Sequence, residues 1–124
     1  MQRVVAVLLI LVGIIHLLPV SGVLGAERLT ALYGISVGDP NLEILMRHRA
    51  VLFGLLGSFL VYAAFTQSLR ALAIVAGLVS VVSFIAIAWL VGGYNDPVRM
   101  IVIIDIFALV ALVAAGAIQT FNPK

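Results

Sequence analysis

Four polar side chains lie within otherwise apolar stretches of this 124-residue chain: His16, Arg47, Ser83 and Asp105. A charged residue inside an apolar helix is rare and usually faces a partner or a cavity. The guanidinium fork of Arg47 suits a carboxylate or an anionic head group, and Asp105 can accept a proton or bind a polar ligand. Two interpretations of an Arg47–Asp105 pair stay open: an ion pair that fixes helix register, or a binding site.

The segment around Arg47 carries three basic residues in a row, Arg47, His48 and Arg49, with Glu43 one turn earlier. Glu43 and Arg47 are four residues apart, so a local ion pair on the helix surface is an alternative to a pair across the bundle. At about 100° per residue, Arg47 shares a face with small residues such as Ala50, and Arg49 points nearly the opposite way. We therefore predict that Arg47 faces the bundle and that Arg49 faces lipid as an interfacial anchor.

No catalytic or metal-binding arrangement is apparent in the sequence. His16 and His48 could hold a b-type haem between two imidazoles, but the simpler interpretation is that His16 hydrogen-bonds across the bundle and His48 lies near the interface. No metal-ligand spacing is present. Ser80 and Ser83 are interpreted as packing and back-bonding serines, because no base accompanies either one. The expectation is a protein with no resident cofactor, with haem b or quinone as alternatives, and enzymatic activity is not predicted.

The composition indicates the environment in which these polar residues lie. The chain is 65% hydrophobic and 10% charged, with a net charge of +2 and no cysteine. A soluble domain of this size could not bury so much apolar surface. Disulfides and thiolate sites are excluded, and the low, dispersed charge argues against nucleic acid. We expect one integral membrane domain over residues 1–124.

Four apolar runs are long enough to cross a bilayer, and each must be helical in lipid. Because short turns join them, the predicted fold is all-α, an antiparallel bundle of four transmembrane helices. The first run resembles an export signal, but its length favours a retained helix. Asp39–Pro40 and Asp96–Pro97 are typical helix starts. The predicted spans are about 4–24, 40–65, 70–91 and 98–121.

The connection between the first two spans predicts a short interfacial helix, with Leu29, Leu32 and Tyr33 facing the membrane. Tyr33, Trp89 and Tyr94 are expected to be interfacial anchors. The orientation is weakly determined by the basic residues. We place both termini in the cytoplasm, which puts three basic residues there: Arg3, Arg70 and Lys124.

The alternating spans place the polar side chains at one depth. Arg47 and Asp105 each lie about seven residues, or roughly 10 Å, into their helices. His16 and Ser83 lie about eight residues before the ends of theirs. The predicted polar cluster in one leaflet contains six residues: Arg47, Asp105, His16, His48, Glu43 and Ser83.

The stretch HRAVLFGLLG, His48 to Gly57, and the four-span architecture resemble the DoxX-like group of small bacterial membrane proteins. Some of those proteins are associated with quinone-linked oxidoreductase complexes, so the resemblance implies such a connection here. Similar small chains are often labelled phosphopantetheine adenylyltransferase. We reject that activity, because the chain has neither the nucleotide-binding α/β pattern nor the Thr/Ser-x-Gly-His motif of that soluble family.

The functional hypothesis is binding of a lipid, a quinone or a similar amphiphile at the polar cluster. Two alternatives stay open. One is a structural or accessory subunit of a larger membrane complex, in which small-residue faces serve assembly. The other is an oligomeric proton-coupled transporter. The expected partners are membrane lipids and either further copies of the chain or a larger membrane complex. The resemblance to bacterial proteins implies the inner membrane as the location.

Overall fold

A computed structural model describes residues 1–121, and every regular element in that range is helical. The α-helices are α1 (Gln2–Leu17), α2 (Ala26–Tyr33), α3 (Pro40–Ala64), α4 (Arg70–Val91) and α5 (Asp96–Phe121); 3-10 segments cover Leu18–Leu24 and Gln67–Leu69. Four helices are long and apolar enough to cross a membrane: α1 with its 3-10 extension, α3, α4 and α5. The predicted all-α fold of four spans and one short helix is confirmed, with bounds that agree within about two residues of those expected from span length.

The helix starts follow from local side-chain chemistry. Asp39 caps α3, because its carboxylate accepts a 2.9 Å hydrogen bond from the Asn41 amide, and Pro40 takes the first helical position. At α5 the predicted cap is off by one residue. Asn95, not Asp96, caps the helix, because its Oδ1 accepts a 2.9 Å hydrogen bond from the Val98 amide.

The four long helices form a square in which each helix packs beside two others. α1 packs against α3 and α5, and α4 also packs against α3 and α5. α3 and α5 lie on a diagonal, where their backbones do not approach each other closely. The core between them consists of aliphatic and alanine side chains, among them Leu9, Leu60, Val81, Ala108 and Leu112.

The closest helix approach is between α1 and α3. A Cβ atom added to Gly57 would lie 2.8 Å from the Gly13 carbonyl oxygen, and one added to Gly13 would lie 2.7 Å from Val61 Cγ2. Both distances are shorter than van der Waals contact, so only glycine fits at this crossing. Small residues thus bring two membrane helices together, as their enrichment at such interfaces predicts.

α2 folds back onto the bundle, and its apolar face is buried in protein. Leu29 and Tyr33 are buried, and with Val37 they form a second core cluster against α3 and α5. The Asn95 side-chain amide donates to the carbonyls of Tyr33 (2.9 Å) and Gly34 (3.2 Å), which ties the end of α2 to the start of α5. The prediction that Leu29, Leu32 and Tyr33 face the membrane is wrong, since this face covers the end of the bundle between the diagonal helices.

The opposite end of the bundle is held by Arg70, the first residue of α4, which is only 8% exposed. Its Nη2 donates to the Ala64 carbonyl at 2.6 Å, at the end of α3. Its Nη1 donates to Gln2 at the start of α1, to the side-chain oxygen at 2.6 Å and to the backbone carbonyl at 3.3 Å. One side chain therefore links three of the four spans.

Candidate functional site

A cavity of about 210 Å³ lies in the half of the bundle where α3 and α5 begin. α1, its 3-10 extension, α2, α3 and α5 all contribute to the wall. The wall is mostly apolar, formed by Ile15, Leu18, Pro19, Leu32, Phe53, Ile101 and Ile104. Four polar residues also line it: His16, Tyr33, Arg49 and Asp105. A largely apolar pocket with a few convergent polar groups is the usual form of a small-molecule site.

Arg49 is the cation of this cavity, and aromatic rings hold it. Its Nη1 donates a 2.6 Å hydrogen bond to Tyr33 Oη. The guanidinium carbon lies 4.4 Å from the ring centre of Phe53, 5.2 Å from that of Tyr33 and 5.7 Å from that of Phe84. Each contact is in the range of a cation–π interaction. The side chain is therefore positioned by α2, α3 and α4 together.

The predicted roles of Arg47 and Arg49 are exchanged in the structure. The Arg47 side chain is 46% exposed, and its Nη1 pairs with Glu43 Oε2 at 3.1 Å. Its Nε donates to the Val23 carbonyl at 2.8 Å. The expected Arg47–Asp105 pair is wrong, and the local pair with Glu43 is the arrangement observed. Arg49, predicted to be a lipid-facing anchor, lines the cavity instead.

The physical reason is the direction of the buried face of α3. Its buried residues are Ala50, Gly57, Leu60, Ala63 and Ala64. At about 100° per residue, the centre of that face lies about 50° from Arg49 and about 110° from Arg47. The sequence-based prediction took small side chains as the sign of the inward face, which placed that face too close to Arg47. The true face also includes the large residue Leu60, which lies on the Arg49 side.

Asp105 is the carboxylate of the cavity, and it is half-buried. Within residues 1–121, it makes no hydrogen bond and no ion pair closer than 4 Å. The charge of Arg49 acts on it electrostatically. A carboxylate only accepts hydrogen bonds, so its acceptor positions remain available to a ligand.

His16 forms a hydrogen-bonded part of the wall and is only 3% exposed. Nδ1 lies 2.9 Å from the Val12 carbonyl and Nε2 lies 3.0 Å from Ser80 Oγ. A carbonyl only accepts, so Nδ1 carries a proton; in the neutral ring, Nε2 then accepts from the serine hydroxyl. The prediction that His16 hydrogen-bonds across the bundle is confirmed.

The other predicted members of the cluster lie outside the cavity. His48 is exposed, since it points away from the buried face of α3. Ser83 is exposed, and its hydroxyl donates to the Ser80 carbonyl at 3.0 Å, so it back-bonds within α4 as expected. Glu43 pairs only with Arg47 among the described residues.

The cofactor alternatives can be compared with these positions. A haem held between His16 and His48 does not fit, because His48 is exposed and both nitrogens of His16 are hydrogen-bonded. In the part of the chain that the structure describes, no three His, Asp or Glu side chains are grouped to hold a metal ion.

The predicted anchors divide into two groups. Trp89, 80% exposed, and Tyr94 point outwards, as interfacial aromatics do. Tyr33 does not, because its ring is buried and its hydroxyl binds Arg49.

Sequence reasoning missed four residues of the site or its support: Tyr33, Phe53, Ser80 and Phe84. The sequence did contain a signal for Phe53. Arg49 and Phe53 are four residues apart, so they share a helix face, and an arginine beside an aromatic residue on one face favours a cation–π contact.

The chain matches no protein-family model, no curated protein and no solved structure. The resemblance to DoxX-like proteins therefore stays a prediction. The site is interpreted from its own geometry.

Proposed function

We propose that this multi-pass membrane protein binds an amphiphile, a lipid, a quinone or a similar molecule, with its polar head in the cavity. Support comes from the convergence of polar groups from different helices at one depth. Arg49 comes from α3, Asp105 from α5 and His16 from α1, with Ser80 of α4 bonded to the histidine. This shared level was expected from the sequence, although Arg49 and Ser80 stand where Arg47 and Ser83 were predicted.

The observation that carries the proposal is that Arg49 and Asp105 line one cavity without forming a direct ion pair. A buried pair offsets its desolvation only when the geometry is close and hydrogen-bonded. Here Arg49 bonds to Tyr33, and the carboxylate has no hydrogen-bond donor within the described residues. Two charges held apart around a mostly apolar cavity are typical of a site completed by a ligand.

The apolar part of the ligand has a route to the membrane. Leu18 lines the cavity and is also 61% exposed on the outside of the bundle. Ile101 and Ile104 form the adjoining wall on α5. In the proposed arrangement, the alkyl chain of the ligand leaves the cavity beside Leu18. A chain leaving there would stay in hydrocarbon while the head remains inside.

The location that fits this function is the bacterial inner membrane, with both termini in the cytoplasm. All five acidic residues are at the end of the bundle that holds the cavity or in its connections: Glu27, Asp39, Glu43, Asp96 and Asp105. Arg3 and Arg70 are at the other end, whereas Arg28, Arg47, Arg49 and Arg99 are at the cavity end. Because the positive-inside rule counts basic residues and gives acidic residues little weight, the proposed orientation does not rest on charge. Lys124, the third basic residue placed in the cytoplasm, lies outside the described residues.

A structural role is the second candidate, and the setting of Arg49 favours it. The guanidinium touches rings from α2, α3 and α4, so it also holds these helices together. In that case the protein would act as an accessory subunit of a larger membrane complex, with the charges fixing the bundle.

Native mass spectrometry of the protein released gently from its own membrane separates the two candidates. Wild type, Asp105→Asn and Asp96→Asn are compared; Asp96 is on the same helix, and its side chain is 93% exposed. We expect one discrete bound mass in wild type and in Asp96→Asn that is lost in Asp105→Asn. Folded subunits without a bound molecule in all three samples would contradict binding and support the structural role.

A further inference from the structure

We propose that the ligand is a neutral amphiphile whose compact head carries a hydroxyl that donates to Asp105 and accepts from Tyr33 or Arg49. This inference rests on the proposed function and names the chemical class that the cavity selects. It follows from the charge, the hydrogen-bonding groups and the volume of the cavity.

The charges argue against a head with a net charge. Arg49 and Asp105 are the formally charged residues of the cavity wall, one of each sign. An anionic head attracted by the guanidinium would meet the carboxylate, and a cationic head would meet the guanidinium. Both repulsions act at low dielectric, where they are strong. A neutral head avoids either cost.

The hydrogen-bonding groups require a donor on the ligand. Asp105 only accepts, and among the described residues no group donates to it. A ligand with acceptors alone would leave the half-buried carboxylate unsatisfied, which is costly. Tyr33 Oη accepts from Arg49, so the tyrosine hydroxyl can donate its own proton to the ligand oxygen. A single hydroxyl group can both donate to Asp105 and accept from Tyr33 or Arg49.

The volume limits the head to about one ring. A dry cavity of roughly 150 Å³ accommodates benzene in another protein, and this cavity measures about 210 Å³. The walls are apolar apart from the four polar residues. A single ring with one hydroxyl fits this space, and its alkyl chain can leave beside Leu18.

Three probes of matched shape test the inference: para-heptylphenol, para-heptylanisole and para-heptylbenzoate. The first donates a hydrogen bond, the second only accepts, and the third is anionic. Binding to the full chain in lipid nanodiscs is measured by isothermal titration calorimetry, with protein-free nanodiscs as the reference. We expect the phenol to bind about tenfold more tightly than either other probe, the ratio that corresponds to one hydrogen bond to a charged group.

Asp105→Asn should abolish this selectivity, because the phenol loses its hydrogen bond to a charged acceptor. The amide can donate to the anisole oxygen, and Arg49 is then unopposed, so we expect the phenol–anisole ratio to fall to about one and benzoate affinity to rise about tenfold. Asp96→Asn is the matched control and should keep the wild-type order.

The outcomes separate the two proposals. If anisole or benzoate binds wild type as tightly as the phenol, and that binding still depends on Asp105, the ligand class is overturned and the site stands. If no probe binds folded wild-type protein, the inference and the proposed function both fail.

Discussion

Arg49 and Asp105 face the same cavity from α3 and α5, the two helices on one diagonal of the bundle. The two charges are not neutralised by a direct pair. Tyr33 and the aromatic rings hold the guanidinium, and the carboxylate stays available. This relationship argues against an ion pair that only fixes helix register, and it supports the proposed ligand site.

Truncation of the two neighbouring arginines should have unequal effects. Arg49→Ala removes a hydrogen bond and three ring contacts, so we expect a loss of about 2–3 kcal/mol in the free energy of unfolding. Arg47→Ala removes an exposed pair with Glu43 and an exposed hydrogen bond to the Val23 carbonyl, so we expect a smaller loss of about 1 kcal/mol. Unfolding by titration with a denaturing detergent measures both. A larger loss for Arg47→Ala would contradict the positions described above.

Replacing the buried histidine tests the link between α1 and α4. His16→Leu leaves Ser80 without its partner, and we expect a loss of about 1–3 kcal/mol, the cost of a buried unsatisfied polar group. His48→Leu alters an exposed ring and serves as the control, with a change within about 0.5 kcal/mol. Equal stability of His16→Leu and wild type would show that the His16–Ser80 hydrogen bond does not hold the helices.

The fold was largely predictable because lipid leaves few alternatives. Apolar runs fix the spans, and Asp39 with Pro40 marks the start of α3. The depth of the polar residues was also predictable, since it depends only on helix rise and alternating direction. The rotation of α3 about its own axis was not predictable, because the side of a helix that faces the bundle depends on the shapes of the neighbouring helices. That error exchanged Arg47 for Arg49.

The position of α2 shows a second limit of prediction from the sequence. Its apolar residues would suit a membrane interface or a protein core equally well. The choice depends on the space between the starts of α3 and α5 and on the bonds from Asn95, which join residues about sixty positions apart. No local pattern encodes such a contact, so Tyr33 was expected at the interface and is found in the site.

Arg70 should be essential to the end of the bundle opposite the cavity. Arg70→Gln is too short to keep the bonds to both Ala64 and Gln2, so we expect a loss of about 2–4 kcal/mol. Arg3→Gln, at an exposed position on the same side, should change stability by less than about 0.5 kcal/mol. The same detergent titration measures the free energy of unfolding of both variants. Unchanged stability of Arg70→Gln would mean that the three spans are held together without this clamp.

The crossing of α1 and α3 should not tolerate an added methyl group. Gly57→Ala places a Cβ atom 2.8 Å from the Gly13 carbonyl oxygen, and we expect a cost of about 1–3 kcal/mol as the helices separate. Gly38→Ala is the control, because a Cβ there meets no atom within 4 Å. If both variants unfold like wild type, the close approach is not required.

The most direct test of the central claim is to find where an amphiphile sits in the membrane-embedded protein. A para-alkylphenol with a photoreactive diazirine beside its ring is activated in nanodiscs, and the labelled peptides are mapped by mass spectrometry. Binding in the cavity predicts label on wall residues such as Leu32, Phe53 and Ile104, with labelling strongly reduced in Asp105→Asn and kept in Asp96→Asn. Label spread over outward residues such as Val79 and Val110, unchanged in either variant, would contradict a ligand site in the bundle.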